Sequence, residues 1–251
     1  MLNHRGWEAI LSSLQDGFYC VAVDLPGHGA SVLTDREGAP KDFGGCADAV
    51  LGAADALGID RFAVVGYSMG GRLALHLALS APERITAAVL ESASPGIKDE
   101  SDRHARWVQD QRTARELESL AGDAAGLRNF LMHWYAQPIF QGLADKPALL
   151  EAAIAAQTAQ DPIESAAALR LLSVAKQPSH WEAIGALACP ALCIVGDQDR
   201  KYRMIAEEMS DLSPRIALGQ FAACSHNVHL ENPAGYTTAL NLFLDSVCKH
   251  A

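Results

Sequence analysis

The chain has 251 residues, of which 49% are hydrophobic, and its 30 acidic and 20 basic side chains give a formal net charge of -10. This length and apolar content are typical of a single sizeable domain around one large core. The negative charge argues against nucleic acid or an anionic membrane as the main partner, because both would repel it. A small anionic ligand remains compatible, since a few local arginines can override the net charge.

The six cysteines form no C-x-x-C pair, and no cluster of His and Cys has the spacing of a zinc site. Most of them lie in apolar runs, so we expect buried, reduced thiols, with no bound metal and no cofactor. No segment reaches the roughly 18 consecutive apolar residues of a membrane helix, and residues 1–10 lack the pattern of a signal peptide. The chain is therefore expected to be soluble and intracellular: cytoplasmic in a bacterium, or in the chloroplast of an alga or plant.

Strand and helix patterns alternate along the chain. The first apolar β-type run, 18–23, ends in the turn sequence Asp-Leu-Pro-Gly-His-Gly, and an Ala-rich helix over 46–57 ends at Gly58. A buried strand over 61–66 then leads into a helix over 69–79.

Further strands are predicted over 85–90, 190–196 and 216–224, and a helix over 233–247 closes the chain. Strands separated by helices form mainly parallel sheets with helices on both faces. The order of the elements therefore predicts an α/β fold with a mostly parallel sheet.

One stretch interrupts this alternation: residues 98–180 show helical spacing of Ala, Leu, Arg and Glu, and no clear strand. Prolines divide it at Pro138, Pro147 and Pro162. We interpret it as a helical lid over the carboxyl edge of the sheet. The chain is then expected to divide into the first part of the core, the lid and the second part of the core, at 1–97, 98–180 and 181–251.

The sequence Gly66-Tyr67-Ser68-Met69-Gly70 fits the pattern G-x-S-x-G, with a predicted strand before it and a predicted helix after it. Glycines in this pattern let strand and helix approach closely around a strained turn, which exposes the serine at the edge of the sheet. Ser68 is therefore the candidate nucleophile, and the backbone N–H of Met69 is expected to be one oxyanion donor. The alternative is a serine that caps an ordinary helix.

A serine nucleophile needs a base, and the base needs an orienting acid, in the chain order Ser, acid, His. Asp197 and Asp199 follow one predicted strand, and we favour Asp199 as the acid, with Asp197 capping the turn. His226 and His229 follow the next strand, and we favour His226 as the base, since it comes first in the loop. His229 is the alternative, or a packing residue, and His28 is expected to be structural.

A second oxyanion donor normally comes from a His-Gly-type loop after an earlier strand. The chain has no such segment, and it opens at residues 3–7, past the point where that loop would lie. Two opening strands are also missing from the pattern. We therefore expect the chain to be N-terminally incomplete or a piece of a longer protein.

Six runs of sequence carry a resemblance to one family. They are Val-Asp-Leu-Pro-Gly-His-Gly-Ala-Ser at 23–31, Gly-Tyr-Ser-Met-Gly-Gly-Arg-Leu-Ala-Leu at 66–75, Leu-Glu-Ser-Ala-Ser-Pro-Gly at 90–96, Trp-Tyr-Ala-Gln-Pro-Ile-Phe at 134–140, Gln-Pro-Ser at 177–179 and His-Asn-Val-His-Leu-Glu-Asn-Pro at 226–233. With these runs the chain resembles the 2-succinyl-6-hydroxy-2,4-cyclohexadiene-1-carboxylate synthases of menaquinone and phylloquinone biosynthesis, in the α/β-hydrolase superfamily. The resemblance spans nearly the whole chain.

The resemblance implies an α/β-hydrolase fold and a lyase that eliminates pyruvate from a cyclohexene precursor, leaving a conjugated cyclohexadiene. It implies that Ser68, His226 and Asp199 abstract a ring proton, and that an oxyanion hole stabilises the enolate-like charge. The implied partner is a small substrate with several carboxylates. In plants and algae a similar domain closes a multifunctional fusion protein, which would suit a fragment.

Four substrate-binding residues follow from the resemblance: Arg72, Arg106, Tyr67 and Trp134. The arginines would bind carboxylates, and Arg103 is an alternative to Arg106. The competing interpretations are a solvated helix arginine for Arg72 and plain core packing for the two aromatic residues.

The chain departs from the family at two further points. A carboxylate-binding arginine of the lid has no counterpart at 155–158, the nearest arginine downstream being Arg170, and Ser225 stands where the family usually has glycine. Two other functions stay open: a carboxylesterase or C–C bond hydrolase of the same fold, and a non-catalytic fragment. The triad alone does not separate these, because one fold hosts many reactions.

Overall fold

The structure, a computed structural model, describes residues 3–34 and 37–248, with the side chain of Cys248 left out. Within these residues, four strands form one sheet in the order β1-β2-β3-β4, and every neighbouring pair is parallel. The strands are β1 (Phe62–Tyr67), β2 (Ile85–Glu91), β3 (Ala191–Gly196) and β4 (Ile216–Phe221). They confirm the last four predicted strands and the predicted parallel sheet.

Parallel neighbours require a crossover between consecutive strands, and helices supply it. The helices are α1 (Glu8–Leu14), α2 (Phe43–Ala56), α3 (Met69–Ser80), α4 (Glu100–Ser119), α5 (Ala124–Tyr135), α6 (Gln141–Ala144), α7 (Pro147–Thr158), α8 (Pro162–Leu171), α9 (Arg200–Leu212), α10 (Val228–Glu231) and α11 (Pro233–Cys248). Short 3₁₀ turns lie at His4–Trp7, Pro138–Phe140 and Trp181–Ala186.

The sheet is covered on both faces, as its side-chain alternation requires. In β2, Ala88 and Leu90 join a core cluster with α2, α3 and α9, whereas Val89 between them joins a second cluster with α1 and α11. In β3, Cys193 and Ile194 divide between the same two clusters. This is the three-layer arrangement predicted from the order of the elements.

Helices α4 to α8 occupy the connection between β2 and β3, and they share a core of their own. Its aliphatic members include Leu117, Leu131, Leu143, Ile154 and Leu169. The prolines that divide this region each begin an element, the 3₁₀ turn at Pro138, α7 at Pro147 and α8 at Pro162. Proline is favoured there because the first N–H groups of a helix have no partner inside it.

The strand predicted at 18–23 is wrong. The segment follows α1 without joining the sheet, and within the described part of the chain the backbone of residues 19–24 makes no hydrogen bond to other backbone groups. Tyr19, Val21 and Val23 are 81%, 43% and 41% exposed. The apolar sequence has strand propensity, but a strand forms only with a partner, and β1, the outer strand described, pairs with β2 alone.

The cysteines whose side chains are described are all free, and four of them are buried: Cys46, Cys189, Cys193 and Cys224. Burial raises the pKa of the Cys193 thiol to about 12, so this group stays protonated at neutral pH. Among the described residues, no helix is long and apolar enough to cross a membrane.

We predict that the backbone amides of residues 19–24 exchange with deuterium at close to the intrinsic rate, because they lack hydrogen-bond partners within the described chain. Amides in the paired strand β2 should exchange at least about 10³-fold more slowly. Hydrogen exchange followed by mass spectrometry measures both segments in one sample. Equal protection of the two would show that residues 19–24 have found a partner in solution.

Candidate active site

Ser68 lies in the turn between β1 and α3, at the carboxyl edge of the sheet. Its backbone has φ 48° and ψ -104°, which is strained for a residue with a side chain and costs roughly 1–3 kcal/mol. The turn is held on both sides: the Ser68 N–H donates to the Glu91 carbonyl at 2.7 Å, and the Arg72 N–H donates to the Ser68 carbonyl at 3.0 Å. The neighbouring strand and the first turn of α3 therefore fix this conformation.

The close approach of β1 and α3 depends on Gly66 and Gly71. A Cβ on Gly66 would lie 2.3 Å from the carbonyl oxygen of Gly70, and a Cβ on Gly71 would lie 2.7 Å from the Cβ of Ala93. A Cβ on Gly70 would meet no atom within 4 Å. The second glycine of the G-x-S-x-G pattern is thus not required for the packing of the turn, and the glycine after it is.

The structure brings Ser68, His226 and Asp199 together. His226 Nε2 lies 3.0 Å from Ser68 Oγ, and His226 Nδ1 lies 2.5 Å from Asp199 Oδ2. His226 and Asp199 are each 2% exposed. A proton on Nδ1, donated to the carboxylate, leaves the Nε2 lone pair directed at the hydroxyl. This arrangement can remove the Ser68 proton and stabilise the imidazolium that forms.

The two carboxylate oxygens of Asp199 have different partners. Its second oxygen, Oδ1, accepts the backbone N–H of Tyr202 at 3.3 Å and so caps α9. The capping role that the sequence suggested for Asp197 therefore belongs to Asp199, and Asp197 is exposed to solvent.

The loop of His226 is held by a buried carboxylate. Glu231 accepts from the Ser225 N–H at 2.9 Å, from the Ser225 hydroxyl at 2.5 Å and from the Asn227 N–H at 3.3 Å. Gly196 lets β3 approach this loop, because a Cβ there would lie 2.1 Å from the Cys224 carbonyl oxygen. The serine at position 225, unusual for the resembled family, is thus used to anchor the loop.

The other two candidate histidines lie elsewhere. His229 is buried, and its Nδ1 lies 2.9 Å from Glu91 Oε1. His28 is buried in its turn with Nδ1 3.2 Å from the Pro26 carbonyl oxygen, and burial lowers its pKa to about 4. At neutral pH His28 is therefore uncharged.

Three aromatic rings surround His226. The ring of Tyr202 lies 4.6 Å from the imidazole, that of Tyr67 lies 5.3 Å away and that of Phe140 lies 5.7 Å away. Tyr67 was among the predicted residues, and the other two were missed. The signals were available: Tyr202 stands three residues after the candidate acid, and Phe140 closes the Trp-Tyr-x-Gln-Pro-x-Phe run.

Trp134, a predicted pocket residue, contacts the ring of Phe140, which in turn contacts His226. Its ring lies 6.4 Å from that of Phe140 and 6.2 Å from that of Phe130. It also lines a groove of about 220 Å³ on the helical region, together with Phe130. Its described contacts therefore reach His226 through Phe140.

Arg72 is 7% exposed, so the interpretation as a solvated helix arginine is wrong. Its guanidinium donates to Gln177 Oε1 at 3.0 Å and to the Leu172 carbonyl at 2.6 Å. Burial, and to a smaller degree the charge of Arg106, lower the pKa of Arg72 to about 10, so it stays protonated at neutral pH. Among the described residues, no carboxylate forms a salt bridge with it.

The other three candidate arginines, Arg106, Arg103 and Arg170, all have partners within the chain. Arg106 Nε lies 2.7 Å from Asp110 Oδ1, and the Arg103 guanidinium donates to the Ile97 carbonyl at 2.9 Å. The Arg170 guanidinium forms a bidentate salt bridge with the Glu118 carboxylate. Arg170 therefore joins α8 to α4 and does not supply a free cation.

The backbone N–H of Met69, the first residue of α3, has no acceptor in the part of the chain that the structure describes. It is adjacent to Ser68 and free to donate, as an oxyanion donor must be. Across residues 3–34 and 37–248, no group of three or more His, Cys, Asp or Glu side chains could hold a metal ion.

Comparison with known proteins gives consistent matches. A model of the alpha/beta hydrolase family matches residues 2–239. The protein PHYLLO, chloroplastic, of Arabidopsis thaliana is 30% identical over an alignment 254 residues long, which covers 96% of this chain and 14% of PHYLLO. The 2-succinyl-6-hydroxy-2,4-cyclohexadiene-1-carboxylate synthase of Salmonella agona (strain SL483) is 31% identical over an alignment 239 residues long, which covers 94% of this chain and 87% of that protein.

Among solved structures, MenH from S. aureus is similar with a TM-score of 0.89 and 28% sequence identity, covering 98% of this chain and 90% of that one. This chain therefore shares the α/β-hydrolase fold over almost its whole length.

We predict that Gly66→Ala lowers the melting temperature, because its methyl group would collide with the Gly70 carbonyl. The free energy of unfolding should fall by about 1–3 kcal/mol. Gly70→Ala is the matched control, since its methyl group enters open space and alanine favours a helix. Thermal unfolding of both variants measures the difference, and an unchanged Gly66→Ala would contradict the packing of the turn.

Proposed function

Because the chain belongs to the 2-succinyl-6-hydroxy-2,4-cyclohexadiene-1-carboxylate synthase family of α/β-hydrolases, we propose that it is a carbon–oxygen lyase acting on 2-succinyl-5-enolpyruvyl-6-hydroxy-3-cyclohexene-1-carboxylate. It eliminates pyruvate from that substrate. The single observation that supports this best is Arg72, a buried cation to which no described carboxylate forms a salt bridge, one helical turn from Ser68 in a Ser-His-Asp constellation.

The names of substrate and product fix the bond changes. The ring proton at C2, next to the succinyl carbonyl, is removed, and a double bond forms between C2 and C3. The existing double bond moves to C4 and C5, and the C5–O bond breaks to release enolpyruvate, which takes up a proton to become pyruvate. The reaction is an elimination, so no water is consumed and no acyl-enzyme is needed.

In this proposal Ser68 receives the C2 proton as its own proton passes to His226 Nε2. Asp199 accepts the Nδ1–H of His226 and stabilises the imidazolium. As the proton leaves, negative charge develops on the succinyl carbonyl oxygen. The free N–H of Met69 can donate to that oxygen.

The substrate carries three carboxylates, so its binding requires cations. Arg72 supplies a buried one, and Arg106 supplies a second that shares its charge with Asp110. Position 157, in the stretch where the family has a further arginine, is a buried glutamine bonded to the Tyr135 hydroxyl. The loss of one charge-assisted contact should weaken substrate binding by about 1.5–3 kcal/mol.

A carboxylesterase or C–C bond hydrolase is the second candidate. The three aromatic rings around His226 favour it, because they would suit an apolar acyl group. Such an enzyme would use Ser68 as a nucleophile that forms an ester, and Met69 N–H would bind the tetrahedral oxyanion.

We predict that pyruvate is released from the enzymatically generated precursor, and that Ser68→Ala lowers kcat by at least about 10³-fold. Coupled oxidation of NADH by lactate dehydrogenase measures the pyruvate. Near-full activity of Ser68→Ala would overturn the catalytic assignment. Ester cleavage without pyruvate release would replace the lyase with the second candidate.

The two candidate acids, Asp199 and Asp197, provide a matched pair of variants. Asp199→Asn should lower kcat by about 10⁴-fold, because the amide no longer selects the productive tautomer of His226. Asp197→Asn, at an exposed position of the same loop, should stay within about twofold of the parent chain. A larger loss in Asp197→Asn than in Asp199→Asn would reverse the assignment of the acid.

Replacement of Arg72 should separate substrate capture from the reactivity of Ser68. Arg72→Lys should lower kcat/KM for the elimination by about 10–100-fold, because lysine lacks the planar guanidinium that binds a carboxylate with two hydrogen bonds. The kcat/KM for hydrolysis of an uncharged acetate ester should fall much less. Arg170→Gln, which loses a pair between α4 and α8, is the control and should leave kcat/KM within about twofold. Equal kcat/KM for Arg72→Lys and the parent chain would exclude the carboxylate-binding role.

A further inference from the structure

Glu91 is the last residue of β2 and lies opposite Tyr67 in the parallel register. It is therefore beside the residue that precedes Ser68. Its backbone carbonyl accepts the Ser68 N–H at 2.7 Å. Through its main chain, Glu91 holds the turn that carries the proposed nucleophile.

The side chain of Glu91 is bound to a different part of the site. Its Oε1 accepts two hydrogen bonds from His229, from the backbone N–H at 3.0 Å and from Nδ1 at 2.9 Å. His229 lies in α10, the short helix that begins two residues after His226. The carboxylate thus fixes the start of α10, and with it the end of the loop that carries the proposed base.

This carboxylate is completely buried, and its surroundings do not satisfy it. Glu91 is 0% exposed. Among the described residues, Glu91 Oε2, His229 Nε2 and the Tyr236 hydroxyl make no hydrogen bond of normal geometry, although burial and, to a smaller degree, the charge of the nearby Glu91 carboxylate raise the pKa of Tyr236. Buried polar groups of this kind cost stability, and well-packed apolar residues in their place are often more stable. Stability alone therefore does not account for this contact, which leaves the geometry that it sets.

Aromatic rings pack against His229. Trp7 stacks on its ring at 4.6 Å with an interplanar angle of 15°, and the Tyr67 ring lies 4.9 Å from it. Tyr67 also contacts the ring of His226 at 5.3 Å. A displacement of His229 would therefore reach His226 both through the loop and through Tyr67.

We propose that Glu91 is a positioning residue that sets the distance between Ser68 and His226 by holding the nucleophile turn with its main chain and the base loop with its side chain. This proposal rests on the proposed roles of Ser68 and His226, and it does not depend on which substrate the chain converts. The relevant separation is the 3.0 Å between Ser68 Oγ and His226 Nε2.

Two variants distinguish the effect of the length of the Glu91 side chain from the effect of its charge. Glu91→Gln keeps an oxygen in reach of both His229 donors and removes the charge, and its new NH₂ would face the Tyr236 hydroxyl. Glu91→Asp keeps the charge and is one methylene too short to accept both bonds. Positioning predicts an active Gln variant and an impaired Asp variant, whereas a purely electrostatic role predicts the reverse.

The first measurement is the rate of Ser68 labelling by a small uncharged alkyl fluorophosphonate. Ser68 Oγ forms a bond to phosphorus, the P–F bond breaks, fluoride leaves and the hydroxyl proton passes to His226. This reaction needs the nucleophile and the base, and it needs no carboxylate-binding site. Ser68→Ala, which cannot be labelled, gives the background. The second measurement is kcat and KM for pyruvate release, with melting temperatures recorded for every variant.

Glu91→Asp should slow both labelling and kcat by at least about 30-fold with KM within about threefold, because misplacement of a reacting group by about 1 Å costs roughly 10² in rate. Glu91→Gln should stay within about fivefold of the parent chain. Labelling and kcat that are unchanged in a folded Glu91→Asp, with only the melting temperature lowered, would reduce Glu91 to a structural residue and overturn the proposal. An active Asp variant beside an impaired Gln variant would overturn it as well.

A third variant decides the matter if Glu91→Asp does not fold. His229→Phe keeps the stack on Trp7 and the backbone N–H bond to Glu91 while it removes the Nδ1 bond. It should slow labelling by at least about fivefold, and an unchanged rate would contradict the proposal. If wild-type labelling is fast and the Glu91 pattern holds while no pyruvate is released, the positioning role stands and the proposed substrate falls.

Discussion

The site depends on one constraint: the four strands of the sheet run parallel, so their carboxyl ends meet at a single edge. Ser68 follows β1, Asp199 follows β3 and His226 follows β4, and each stands within a few residues of its strand. Loops at this edge need no long excursion to bring the three side chains together. The sheet thus converts three distant stretches of sequence into one constellation.

At this edge of the sheet, backbone segments approach each other closely, which brings the side chains of the site within hydrogen-bond distance. Gly66 and Gly71 allow β1 and α3 to meet around the strained Ser68, and Gly196 allows β3 to meet the loop of His226. Glu231 then fixes that loop from one side and Glu91 from the other. Backbone strain at Ser68 is held by contacts from the neighbouring strand and from the first turn of α3.

Local patterns account for what the sequence could predict. Buried strands, the turn around Ser68 and the placement of Asp199 and His226 after their strands all follow from short-range composition. The run 18–23 has the same composition and forms no strand, because pairing depends on a neighbour that local sequence does not specify. Glu91 and the partners of Arg72 could not be assigned for a related reason: their contacts join residues distant in sequence, up to 138 positions apart for Glu91 and His229.

The charges of the site explain how an acidic chain could bind an anion. Arg170 is neutralised by Glu118, and Arg106 shares its charge with Asp110. The acceptors of Arg72 are an amide oxygen and a backbone carbonyl, which orient the guanidinium without cancelling its charge. A buried cation of this kind is costly without an anionic partner, and in the proposed function the low local dielectric would strengthen its attraction to a substrate carboxylate. The net charge of -10 describes the whole chain, whereas Arg72 is a buried cation that no described carboxylate neutralises through a salt bridge.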